Sequence, residues 1–145
     1  MASTPGDTPG KLPPAAPSLR SLSAITLFVE DLIATRDFYT TVFAAPVVFQ
    51  DDVSCAFKFD NIIVNLLLAA EGASLVSPTT AGGADAPCRF QISIWVQDLD
   101  PVLENLVARG VSPIQGPTLQ PWGMRTLTFT DPAGHCWEVG QRVGK

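Results

Sequence analysis

Histidine is almost missing from this chain: its 145 residues include one, His135. A metal centre built from several imidazoles is therefore excluded. Charge is also scarce. Charged side chains make up 16%, with nine Lys and Arg against fourteen Asp and Glu and a net charge of −5. The basic residues are scattered and form no run, which argues against nucleic acid as a partner. No apolar run approaches the roughly 20 residues that span a bilayer, so no membrane partner is expected. The first residues, "MASTPGDTPGKLPPAAPS", lack the apolar middle of a secretory signal. Three cysteines, Cys55, Cys88 and Cys136, are odd in number and irregular in spacing. They do not read as a disulfide framework, and the simplest expectation is a reducing cytoplasm.

Apolar side chains are plentiful, at 46%. A chain of this length buries roughly 70% of its unfolded surface, enough for a core without staples. Residues 1–19 contain five of the thirteen prolines and no periodic apolar face, so they read as a disordered tail. A second stretch, "EGASLVSPTTAGGADAP", is rich in small residues and turn formers, and reads as a linker over 71–88.

The body repeats. "AITLFVEDL" (24–32) and "QISIWVQDL" (91–99) align without gaps at an offset of 67 residues. Each is a β-rich run ending in Asp-Leu that passes into a helical pattern. Asp31 is a cap for the first helix; Asp100 before Pro101 is an equally good start for the second, and Gly110 stops it. Strands follow in each half: "PVVFQDD", "SCAFKFD" and "NIIVNLLLA", then "VSPIQ", "MRTLTFT" and "CWEVGQ". The expected fold is α+β: tandem βαβββ modules over 20–70 and 89–145, forming a curved mixed sheet shaped as a cup.

Strand alternation sorts the side chains. Ile25, Leu27 and Val29 are all apolar and should face the helix; Thr26 and Phe28 face the cup. In the second copy Ile92, Ile94 and Val96 go inward, while Gln91, Ser93 and Trp95 face the cup. Leu127 and Phe129 are core residues, and Thr126 and Thr128 line the cup. Cys136 shares a face with Glu138; His135 shares the other with Trp137. On a regular strand His135 and Glu138 cannot hold one ion. His135 reads as an exposed turn residue, and Cys136 as a small buried hydrophobe.

The stretches "LFVEDLIATRDFYTTVF" and "WGMRTLTFTDPAGHCWEV", with the twofold βαβββ repeat, resemble the vicinal oxygen chelate superfamily, the glyoxalase, bleomycin resistance and dioxygenase group. The resemblance covers residues 21 to 142. Metal-bearing relatives hold an ion at four strand positions. The resemblance maps these onto Ala24, Asn65, Gln91 and Glu138: one carboxylate, two amides and a methyl group. A catalytic transition metal normally has at least three His or carboxylate ligands, so no metal and no cofactor is expected.

What remains is a cup lined by Thr26, Phe28, Asn65, Leu67, Gln91, Ser93, Trp95, Thr126, Thr128 and Glu138, with Trp122 at its rim. Aromatic walls with a few polar groups suit an aromatic or amphipathic small molecule. The resemblance implies a ligand-binding protein of the bleomycin resistance type. Its alternative is a glyoxalase-like lyase or isomerase, metal-independent or with a weakly bound metal, in which Glu138 is the catalytic acid or base. Phe28 and Trp95 also have a plainer reading, as packing at an interface. Arg125 either pairs with a carboxylate or anchors an anionic ligand. The superfamily commonly forms homodimers, and the same is expected here.

Overall fold

The computed structural model describes residues 12–14 and 19–144. Most of the tail expected over 1–19 lies outside the described residues. The first module runs β1 (Ala24–Val29), α1 (Leu32–Phe43), β2 (Val47–Gln50), β3 (Ser54–Lys58) and β4 (Ile63–Leu68). A short helix follows, α2 (Ala69–Val76). The second module runs β5 (Gln91–Val96), α3 (Leu99–Ala108), β6 (Gln115–Leu119), β7 (Met124–Thr130) and β8 (Cys136–Arg142). Each module makes a four-stranded mixed sheet, in the orders β1-β4-β3-β2 and β5-β8-β7-β6. The first and last strands of each module pair in parallel, and the rest are antiparallel.

Local signals explain most boundaries. Asp31 caps α1, its Oδ1 accepting from Ala34 N at 3.0 Å. Asp98, rather than Asp100, caps α3, which begins at Leu99. Gly110, at φ +87°, carries the chain out of α3 in a conformation costly to other residues. Two expectations need correction. The segment expected to be wholly linker over 71–88 begins inside α2, which continues directly from β4. "VSPIQ" is not a strand up to its last residue; β6 starts at Gln115 and takes in "GPTL". Its pairing with β7 shifts register between Gln115 and Thr118, where Gly116 sits at φ +85° before Pro117. A proline fits there because this is an edge strand at a bulge.

The inward faces of both sheets meet in one core. Leu27, Val29, Phe57, Val64 and Leu66 come from the first sheet; Leu127, Phe129, Trp137 and Val139 come from the second. Tyr39 and Phe43 of α1 sit between them. Phe43 lies 4.6 Å, centroid to centroid, from Trp137, and Phe59 stacks on Trp137 at 5.9 Å. Burying such large rings is worth roughly 1.5–3 kcal/mol each, and the contacts between the rings add to that. Because both inward faces share this core, the other face of each sheet turns away from it.

Candidate functional site

Those outward faces carry the expected lining. On the second sheet, Ser93 stands opposite Glu138, which stands opposite Thr128. Opposed residues share a face, so these side chains converge. Ser93 Oγ donates to Glu138 Oε1 at 2.9 Å, and Gln91 Nε2 donates to Glu138 Oε2 at 3.2 Å. Glu138 thus has a donor on each oxygen and is held in one orientation. Two residues along the same face, Trp95 stands opposite Gly140. Gly140 offers no side chain, and the indole lies over it with 74% of its surface exposed. Thr126 is buried and accepts from Gln120 Nε2 at 3.0 Å. Trp122 is exposed in the turn between β6 and β7.

On the first sheet, Thr26 stands opposite Asn65 and Phe28 opposite Leu67, all on the outward face. Here α2 changes the outcome. Gly72 packs on Phe28 so closely that a Cβ added to it would meet the ring at 2.5 Å. Phe28 is therefore half covered, whereas its repeat partner Trp95 is open. Arg125 is not on either outward face. Its Nη2 lies 2.8 Å from Asp100 Oδ1 at the start of α3, on the helix side of its strand.

The structure brings Gln91, Ser93, Trp95, Thr128 and Glu138 together on one sheet. Thr26, Phe28, Asn65 and Leu67 stand on the other, and no hydrogen bond among the described residues joins the two groups. The four positions onto which the resemblance maps metal ligands are divided likewise: Ala24 and Asn65 on one sheet, Gln91 and Glu138 on the other. Ala24 has no donor atom, and Gln91 and Glu138 already bond each other. Among the described residues no three His, Cys, Asp or Glu side chains cluster as metal ligands do. This donor set does not fit a tightly held Zn²⁺, Fe²⁺ or Ni²⁺.

A second arrangement was not foreseen. His135 is not an open turn residue; its side chain is 17% exposed and Nδ1 lies 2.9 Å from Asp131 Oδ2. Asp131 is buried and also accepts from Ala133 N, His135 N and the Tyr39 hydroxyl. Trp137 Nε1 donates in turn to the Tyr39 hydroxyl at 3.0 Å. Burial beside the Asp131 carboxylate pushes the Tyr39 phenol well above its ordinary range. This chain of bonds ties the "DPAG" turn of the second module to α1 of the first. The turn itself needs Gly134 at φ +92°, with the Ala84 carbonyl against it. A cavity of about 300 Å³ opens beside it, lined by Thr26, Phe28, Cys88, Arg89, Phe90 and His135 among others.

Comparison with known proteins agrees with this architecture. An uncharacterized protein of Mycobacterium bovis is 27% identical, covering 81% of this chain and 80% of that protein. The crystal structure of a glyoxalase-related enzyme from Fulvimarina pelagi superposes with a TM-score of 0.72 at 25% identity, covering 85% of this chain and 88% of that one. A glyoxalase/bleomycin resistance protein/dioxygenase from Nocardioides gives 0.72 at 22% identity, covering 86% of each. The family model for the Glyoxalase/Bleomycin resistance protein/Dioxygenase superfamily matches residues 21–139. With the paired βαβββ modules and this match over most of its length, the chain belongs to that superfamily.

Proposed function

We propose that this protein binds a small aromatic or amphipathic molecule on the outward face of its second sheet, without a tightly held metal. One observation carries the reading: the exposed Trp95 indole lies on the same face as a carboxylate oriented by Ser93 and Gln91. A flat apolar wall beside a fixed acceptor is the chemistry that selects a planar ligand with a hydrogen-bond donor. The first sheet of a second copy completes the cup, since the other half of the lining stands on that sheet. Exposed Val47, Val48 and Phe49 on the β2 edge, with Leu119 and Trp122 on the second module, supply apolar surface for such a homodimer. Titration with aromatic metabolites and drugs should give saturable quenching of tryptophan emission. Sedimentation should report a dimer. A panel that leaves emission unchanged removes the binding reading, and a monomer at micromolar concentration removes the shared cup.

A second reading rests on the same two donors. They hold Glu138 as an acid or base is held, and the ligand is then a substrate for isomerisation or lyase chemistry. Turnover lost in Glu138→Gln with binding retained favours it. Turnover unchanged in that variant excludes it.

A further inference from the structure

Two of the three cysteines, unpromising as a sequence pattern, meet in space. Cys88 Sγ and Cys136 Sγ lie 2.7 Å apart, though 48 residues separate them in the chain. Both are free thiols. Cys88 belongs to the extended segment before β5, is exposed, and also approaches the Gly134 carbonyl at 3.4 Å. Cys136 is the first residue of β8, on the same face as Glu138 and opposite Gln91. The remaining gap to a covalent S–S bond of about 2.05 Å is less than an ångström. One partner lies in a loop that can supply that movement. Cys55 is buried in the other module and takes no part.

We propose that Cys88 and Cys136 form an oxidisable dithiol, a modification site at the lip of the second sheet whose oxidant is a hydroperoxide. The proposal does not depend on the ligand-binding reading. Cys88 is the more exposed sulfur and meets the oxidant first. The Cys136 thiol, pushed up to about 11 chiefly by its hydrogen bond to Cys88, keeps its proton until the second step. In the first step the Cys88 sulfur attacks the terminal peroxide oxygen. The O–O bond breaks, the alcohol (or water) leaves with the thiol's proton, and a sulfenic acid remains on Cys88. In the second step the Cys136 sulfur attacks the Cys88 sulfur. The S–S bond forms, the S–O bond breaks, and hydroxide departs with the Cys136 proton as water. Two thiols lose two electrons and one hydroperoxide gains them. The product clips the segment before β5 onto β8 and fixes one wall of the cavity beside His135.

The test uses the full, reduced chain and stoichiometric hydrogen peroxide. The expected product is a chain lighter by two hydrogens and not cross-linked to another chain, with a Cys88–Cys136 peptide after digestion and Cys55 still open to alkylation once unfolded. Closing a loop of this length should raise Tm by about 10 °C, reversed by dithiothreitol. Cys136→Ser should stop at the first step, with a sulfenic acid on Cys88 that dimedone traps; Cys88→Ser should show neither product nor Tm change. The inference is overturned if oxidised wild type still alkylates at both Cys88 and Cys136. It is also overturned if the disulfide found is between chains, or if Cys136→Ser yields no dimedone adduct.

Discussion

The two modules share a plan and differ on their outward faces. Thr26 and Ser93 occupy one repeat position, Asn65 and Glu138 another, Phe28 and Trp95 a third. In the first module α2 follows β4 and lays Gly72 on Phe28. In the second, β8 is followed by no helix among the described residues, and Trp95 has Gly140 beneath it and solvent above. One apolar ring is thus spent on stability, and its counterpart is left available. The carboxylate follows the same division: the first module presents a neutral amide, the second a charged group with two donors aimed at it. On the proposed reading, one copy of the duplicated module holds the fold and the other is kept for recognition.

Substitutions sharpen or break this contrast, and the largest effect is expected where the modules are tied. Asp131→Ala removes the acceptor of Tyr39, His135 and two backbone amides, all around a fully buried carboxylate. It should cost about 3–5 kcal/mol in urea unfolding. A loss below about 1 kcal/mol would mean that the turn is not an anchor.

The direct comparison comes next. Phe28→Ala should destabilise by about 2 kcal/mol, because α2 loses what it packs on. Trp95→Ala should stay within about 0.5 kcal/mol of wild type, since the ring is open. Equal losses would erase the proposed division between the faces.

A further contrast concerns pH. Tyr39 is the chain's only tyrosine. Its phenol is held neutral in the folded state, so its stabilising effect is complete below the ordinary tyrosine value of about 10. Above that, the unfolded chain ionises and the folded one does not, so stability falls as pH rises. Tyr39→Phe should cost about 1.5 kcal/mol at neutral pH, from the Trp137 N–H it strands. Its stability should fall less steeply than that of wild type between pH 10 and roughly 11.5. Parallel pH curves for the two proteins would show that the phenol ionises freely.

Much of the fold was legible because strand alternation and the repeated Asp-Leu boundary are local signals. Ile25, Leu27 and Val29 face the core as their spacing requires, and so do Leu127 and Phe129. Helix α2 was hidden by its small residues: Gly72 looks like a linker glycine, but it is small because Phe28 lies against it. The β6 strand was hidden by Gly116 and Pro117, which a bulged edge accommodates. In the Ser93–Glu138–Gln91 group, alternation put Gln91 and Ser93 on one face, and the resemblance added Glu138 to it. The Asp131 network was not legible, because its partner Tyr39 lies 92 residues away and "DPAG" reads as an ordinary turn. Arg125 was half legible: its sequence left a carboxylate or an anionic ligand as partner, and Asp100 holds it on the helix side of its strand.

The central claim is that recognition belongs to the open face of the second sheet. The direct measurement is calorimetric titration of an aromatic ligand into wild type, Trp95→Phe and Phe28→Leu. Affinity weakened more than about tenfold in Trp95→Phe, with affinity in Phe28→Leu changed less than about threefold (roughly 0.7 kcal/mol), is the predicted result. Affinity that survives in Trp95→Phe and disappears in Phe28→Leu would contradict it.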